Sequence, residues 1–403
     1  MNKQISIHNI RVMFWIRFFG TMNFIAPVLT LFYLERGLEP THILVLQLFW
    51  SGAVLLGEVP GGVVADRFGA KTSFFIGVII KILSITLLIF AYDKWMFFLF
   101  SALNGFSVTF FSGADEALIY ESLKEDNDHH RMDRAMGKIQ SAGFVSMILA
   151  VLVGAYLAGD LQNEQFIFLI IIGLVFQLVE LFLIFLIKSP ANSGAYRDNP
   201  FTQVVSGITA IRKAPILLLL FVNFTLVFIA ADSVYEAFNQ PIFTNAGLPV
   251  VMIGVLYALA ALLGFFTSQS VGWFTEHFSR KFLMSVTGGL AALGLFLSAI
   301  YGESIWIVIG AFFVLRLGQS IRGPIYSQLK NDLIPSDIRA TTLSLLSVLD
   351  SAFDLIVFGL LTAAAFNGLT GLLIASSIVA LLGTITPIKW RSKASGSEKD
   401  LTA

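Results

Sequence analysis

Three observations predict an all-α membrane protein of 12 transmembrane helices, arranged as two homologous six-helix bundles with both termini cytoplasmic. The 403 residues are 56% hydrophobic and 13% charged, with a mean hydropathy of +0.81, whereas a soluble domain carries roughly 25% charged residues. Apolar runs of about 20 residues, the length a bilayer crossing requires, recur along the whole chain. The chain also repeats itself at about half its length. A soluble enzyme is excluded, and no catalytic residues are expected.

The polar start MNKQISIHNIR runs into the first apolar stretch without a small-residue cleavage site, so it reads as an uncleaved first span. Spans bounded by Gly, Pro, Asn or charge fall at 12–34, 42–64, 72–92, 96–118, 139–159, 165–187, 215–239, 250–271, 282–300, 304–328, 341–365 and 368–388. They are read as helices because lipid offers the backbone no water, and because barrel strands would alternate polar and apolar residues, which these do not. With the amino terminus inside, 20 of the 26 Lys and Arg are cytoplasmic, only Arg36 and Lys94 are outside, and four lie within spans. That bias places both termini in the cytoplasm of a cell membrane.

The expected organisation is a first bundle at 1–187, a cytoplasmic linker at 188–214, a second bundle at 215–389 and a cytoplasmic tail at 390–403. Within the linker, Asp198, Asn199 and Pro200 form a helix start ahead of Phe201, Val204, Val205, Ile208 and Ile211. This spacing predicts a short amphipathic helix on the membrane surface.

The chain has no cysteine and five histidines, and all five histidines fall in or beside loops. Disulfides, thiolate metal sites and an intramembrane histidine relay are excluded. His129 and His130, near Asp126, Asp128 and Asp133, read as a solvated loop rather than a metal site. No phosphate-binding loop of the nucleotide-hydrolysing kind is present. The expected energy source is therefore a proton gradient, with no cofactor, nucleotide or nucleic-acid partner. The expected partners are protons, a small-molecule substrate and the lipid bilayer, with a monomer as the functional unit.

The repeat is visible in ALIYESLKED (117–126) against GPIYSQLKND (323–332), and in GGVVADRFGAK (61–71) against QSVGWFTEHFSRK (269–281). Similar offsets at corresponding places indicate two bundles related by an axis along the membrane normal. On the loop formed by Gly62, Ala65, Asp66, Arg67, Gly69 and Lys71, the chain resembles the major facilitator superfamily, whose signature joins helices two and three. It departs at Ala70, where a basic residue is usual. The resemblance implies that Gly62, Asp66, Arg67, Gly69 and Lys71 form a gate that latches against the start of helix eleven, Ser336 to Thr342, when the cavity opens outward. It also implies that helices one, four, seven and ten line a central cavity. Marks of the drug/proton antiporter branches are missing, since helix four has no arginine and VLVGAYLAG (151–159) has no proline.

Four bases (Arg17, Lys81, Arg316, Arg322) and seven acids (Asp115, Glu116, Glu180, Asp232, Glu236, Asp350, Asp354) lie within the spans. At about 3 kcal/mol each, such groups would oppose insertion by roughly 30 kcal/mol unless they pair, neutralise or face water. Helical rise puts Arg316 level with Asp354, and Arg322 near the depth of Asp350, which predicts a charge ladder between helices ten and eleven. Lys81 and Glu180 match in depth as a structural pair. Arg17 is expected beside Asp115 or Glu116. Asp232 and Glu236, spaced i, i+4 on one helix face, are left without a base and become, with Asp115 and Glu116, the candidate proton-coupling carboxylates. The internal alignment makes Glu116 and Arg322 equivalent, so a Glu116–Arg322 ion pair is expected as a cytoplasmic gate. Arg17, Asn23, Asn104, Asn223, Tyr235, Asn239, Gln240, Arg316 and Gln319 are candidates for the substrate cavity, and Glu58 for a partner of the adjoining loop.

The leading expectation is proton-coupled export of amphipathic or cationic small molecules by alternating access. Proton symport of a nutrient or organic anion, transport of a lipid-linked substrate, and a non-transporting sensor are the alternatives. Arg17, Arg316 and Arg322 suit an anion, whereas the surplus of carboxylates suits a cation.

Overall fold

The computed structural model describes residues 5–128, 131–190, 215–334 and 339–388. The expected surface helix of the linker, His129 and His130, most of the latch partner Ser336–Thr342 and the 390–403 tail therefore lie outside the described residues or their described side chains. In chain order the helices are α1 (Ile5–Gly20), α2 (Leu29–Glu35), α3 (Pro40–Phe68), α4 (Ala70–Ile89), α5 (Lys94–Val108), α6 (Ala114–Glu125), α7 (Met132–Leu157) and α8 (Asn163–Phe185). The second half continues with α9 (Pro215–Phe228), α10 (Tyr235–Asn245), α11 (Val250–Gln269), α12 (Val271–His277), α13 (Arg280–Ile300), α14 (Ile305–Leu333), α15 (Arg339–Ala365) and α16 (Gly368–Ile385). Ten helical stretches among the described residues are long and apolar enough to cross a membrane.

Two expected spans are not continuous. Residues 12–34 divide into α1 and α2 around a 3₁₀ turn at Ala26–Val28 that contains Pro27. Residues 96–118 divide into α5 and α6 at a turn ending in Gly113, whose φ of 72° is left-handed and suits glycine. Main-chain groups freed by a break in lipid need substitutes. At the first break, Lys81 Nζ donates to the Gly20 carbonyl at 2.6 Å. At the second, α3 comes close enough that a Cβ on Gly61 would lie 2.5 Å from the Thr109 carbonyl oxygen, and one on Gly57 would lie 2.7 Å from Phe106. Small residues four apart are how lipid-embedded helices approach closely.

The helix ends define two sides. Connections such as 68–70 and 277–280 lie on the side where the described chain begins and ends. That side is tied by Lys71 Nζ to the Phe185 carbonyl at 2.7 Å and by Arg280 to Asp332 at 3.6 Å. On the opposite side, Arg36 donates to the Ala91 carbonyl at 3.1 Å and to Asn163 at 2.8 Å, and stacks 3.8 Å over the Tyr92 ring.

The apolar cores differ between the sides. On the opposite side one cluster joins both halves, from Phe24, Val28, Phe32 and Ile43 to Ile229, Phe238, Phe243 and Ile253. On the terminus-bearing side the halves have separate clusters, one around Ile16, Phe74, Leu118 and Ile139, the others around Leu220, Met284 and Ile325 and around Phe221 and Leu346. The molecule is sealed on one side and parted on the other.

Gly254 is one of the contacts that allow this seal. A Cβ there would sit 2.6 Å from both the Val151 carbonyl oxygen and Ala155 Cβ of the facing α7. Gly254→Val is expected to destabilise the sealed side by about 1–3 kcal/mol, the usual cost of overpacking. The check is the unfolding temperature of the detergent-purified protein, and an unchanged value would contradict the packing described.

Candidate functional site

A cavity of about 1090 Å³ lies between the halves. Its position follows from the core, since it begins where the joint apolar cluster ends. Four charged residues are among those lining it, namely Asp232, Glu236, Asp354 and Arg316. Amide and aromatic side chains make up about half of the rest of the wall, and aliphatic, small and hydroxyl residues the remainder. Asn23, Asn104, Gln240 and Gln319 face it, together with rings such as Tyr33, Trp50, Phe228, Tyr257 and Phe312.

Arg316 of α14 is the centre of the charged group. Its Nη1 lies 3.0 Å from Asp232 Oδ1 and its Nη2 lies 3.0 Å from Glu236 Oε2, so the guanidinium bridges two carboxylates. The backbone explains why both reach it. Asp232 sits in a π-helical turn, Ile229–Val234, between α9 and α10, and Glu236 follows in the first turn of α10. Such a turn widens the helix locally and is frequent at functional positions. Glu236 is half exposed to the cavity while Asp232 is more enclosed, with side chains 52% and 20% exposed. The group carries two negative charges against one positive.

Asp354 of α15 also lines the cavity, and the Ser51 hydroxyl of α3 donates to it at 3.1 Å across the two halves. The charge ladder expected between helices ten and eleven is therefore corrected. Arg316 turns to Asp232 and Glu236, and Asp354 meets a first-half serine. Asp350 accepts from the Thr225 hydroxyl at 2.9 Å. Rise per residue fixes the height of a side chain along its helix, but not the direction in which it leaves the axis. That is why matched depth misassigned these partners and left Asp232 and Glu236 without a base.

Arg322 is 1% exposed and meets no carboxylate within 4 Å among the described residues. Its Nη2 donates to the Asn223 carbonyl and Oδ1 at 3.0 and 2.9 Å, and its Nη1 donates to the Met284 carbonyl. Asn223 is thus a partner of Arg322 rather than part of the cavity wall. The expected Glu116–Arg322 pair is absent in this conformation. Glu116 is exposed at the start of α6, on the side where the halves have parted.

The remaining candidates divide by position. Asp115 and Glu116 lie in the first turn of α6, outside the cavity wall, where Asp115 Oδ1 accepts from the Glu116 N–H at 2.8 Å. Arg17 is exposed and within electrostatic range of Asp115 and Glu180, without an ion pair to either. Tyr235 and Asn239 are buried on the far face of α10, with Asn239 Oδ1 accepting from the Tyr257 hydroxyl. Their side chains belong to the seal, not to the cavity wall. Lys81 and Glu180 do meet, at 3.3 Å.

In the loop, Asp66 and Arg67 are exposed, Gly62 and Gly69 are half-buried, and Gly69 has a left-handed φ of 83°. Lys71 binds carbonyls at the end of the first half, at Phe185 and Ile187. Glu58 lies beside Ser112 at the α5–α6 break. Gln47, Trp50, Ser51 and Tyr257 line the cavity although they escape the sequence reading. They lie on α3 and α11, outside the four helices the resemblance singles out. The available signal was a glutamine and a serine inside the apolar run 42–64.

A model of the Major Facilitator Superfamily matches residues 12–356. The uncharacterized MFS-type transporter YxaM of Bacillus subtilis (strain 168) is 22% identical over 382 residues, which are 90% of this chain and 91% of that one. The structure of a point mutant of the nucleoside transporter NupG superposes with a TM-score of 0.76 at 14% identity, covering 95% of this chain and 98% of that one. That of the D-xylose-proton symporter gives 0.72 at 14% identity, covering 94% and 96%.

Proposed function

The chain belongs to the major facilitator superfamily of secondary transporters, and we propose that it is a proton-coupled member exporting amphipathic or cationic small molecules. Arg316, Asp232 and Glu236 form its coupling site. The observation that carries this reading is the charge of the cavity wall, three carboxylates against one guanidinium. Such a wall attracts protons and organic cations alike, and its aromatic rings suit the apolar body of a cationic solute. A carboxylate that takes a proton loosens its hold on Arg316, and one that loses it recovers the bridge. Proton and solute then compete for the same negative charge, which is the requirement for exchange transport.

The bias of Lys and Arg to the terminus-bearing side argues that this side is cytoplasmic. The parted side is then the inner one, and the conformation is inward-facing. Two units rocking about the cavity, 1–187 and 215–389, would expose it alternately.

One observation supports a second reading. Arg316 stands in the cavity wall, so protonation of a neighbouring carboxylate frees a guanidinium for an anionic solute, as proton symport of an organic anion requires.

Liposomes carrying the purified protein and an internal pH dye separate the two. Export predicts that a lipophilic cation such as ethidium and protons move in opposite directions, while symport predicts that an organic anion and protons move together. Proton movement with no compound of either class would overturn both.

A further inference from the structure

Gln240 of α10 reaches across the sealed side into the break between α1 and α2. Its Nε2 donates to the Ala26 carbonyl at 2.8 Å, and its Oε1 accepts from the Thr30 N–H at 2.8 Å. Ala26 and Thr30 are four residues apart, so in an uninterrupted α-helix this N–H would donate to this carbonyl. In the 3₁₀ turn the Ala26 carbonyl instead accepts from the Leu29 N–H, and the Gln240 amide takes up the remaining donor and acceptor. A side chain of one half thus stands in for a peptide group in the helix of the other. The Thr30 hydroxyl adds a second bond across the halves, donating to the Ala237 carbonyl at 2.7 Å. Gln240 is buried, at 4% exposure.

We propose that Gln240 is a positioning residue of the transport cycle, holding the far side shut by occupying a hydrogen-bonding position of the broken first-half helix. When it withdraws, the Thr30 N–H and Ala26 carbonyl pair with each other and the 3₁₀ turn at Ala26–Val28 becomes the first α-helical turn of α2. The inference rests on alternating access, but not on the identity of the solute or the coupling ion. Its physical basis is that both states satisfy the same two main-chain groups. Leaving the Thr30 N–H unpaired in an apolar setting costs several kcal/mol, whereas the Ala26 carbonyl keeps the Leu29 N–H, so the turn has two satisfied arrangements and a barrier between them.

A glutamate at this position gives the test. A neutral carboxyl has one donor and one acceptor, as the amide arrangement needs, whereas a carboxylate only accepts and would face the Ala26 carbonyl with no donor. The titratable or charged groups around the position are Tyr257 of α11, 3.4 Å from Gln240 Nε2, and Glu236 one turn back on α10, bound to Arg316 of α14. From the first half, Thr30 brings only a hydroxyl.

Because the chain has no cysteine, spin labels can be attached to Glu35→Cys and Asn245→Cys alone, at the exposed ends of α2 and α10. Double electron–electron resonance then reads the far side in purified protein in nanodiscs. Gln240→Glu is expected to match its labelled parent at pH 5. At pH 9 it should gain a population longer by roughly 10 Å, about one helix diameter. Gln240→Leu should show the longer population at both pH values. The return of Gln240→Glu to the parental distance at pH 5 excludes misfolding as the cause.

The proposal is overturned if Gln240→Glu follows its parent at both pH values, or if Gln240→Leu keeps the short distance. A failure of solute-driven proton movement in liposomes with these distances as expected would count against the proposed function and leave the gate standing.

Discussion

Replacing Arg316 by alanine is expected to abolish solute-driven proton movement in liposomes and to lower stability by about 3 kcal/mol, the lower end for breaking a buried pair. Both effects follow from one arrangement. Asp232 and Glu236 each lie 3.0 Å from the guanidinium, so its removal strands two carboxylates on one helix inside a membrane. The lower end applies because Glu236 is half exposed to the cavity and water can solvate it. Arg316→Lys separates stability from coupling. An ammonium keeps the charge but lacks the planar fork that spans both carboxylates, so this variant should unfold within a few degrees of the parent while its proton movement falls at least tenfold. Undiminished proton movement in Arg316→Ala would remove the bridge from the coupling site.

A second large effect is expected far from the cavity. Lys81→Ala should destabilise the protein by about 3–5 kcal/mol, because it leaves a buried carboxylate uncompensated. Glu180 is only 4% exposed in its side chain, and the same lysine amine also satisfies the Gly20 carbonyl at the end of α1. Replacing both partners by apolar residues, as in Lys81→Met with Glu180→Leu, should restore more than half of the loss, since a missing pair costs less than a broken one. Thermal unfolding of the three proteins decides the matter. If the double variant is as unstable as Lys81→Ala, the capping of Gly20 rather than the ion pair is what matters.

The two sites show what a sequence of this kind makes legible. Apolar length and the excess of basic residues on one side specify the spans, and the fold follows from the repeat and the loop signature. Lys81 and Glu180 could be matched because they were the only charges within their spans, so depth alone was enough. Arg316 had several acids within reach, and there the angle around each axis decides the partner. That angle depends on local winding, and the π-helical turn at Ile229–Val234 leaves no plain mark in an apolar stretch. The breaks in the first and fourth spans were hidden for a related reason. Pro27 and Gly113 are ordinary residues in membrane helices, tolerated wherever neighbours supply the missing hydrogen bonds. Only the packed structure shows that Gln240 and Lys81 supply them at the first break.

The apolar cluster that fuses the halves on one side has a thermodynamic consequence for the cycle. Separating the halves there would wet a seam of aromatic and aliphatic side chains, and wetting about 200 Å² of such surface costs about 5 kcal/mol. That is close to what two elementary charges release in falling through 100 mV, about 2.3 kcal/mol each. Under the proposed alternating access, a protein with this asymmetry would rest in the posture that keeps the seam dry, and a driving gradient would be needed chiefly for the outward stroke.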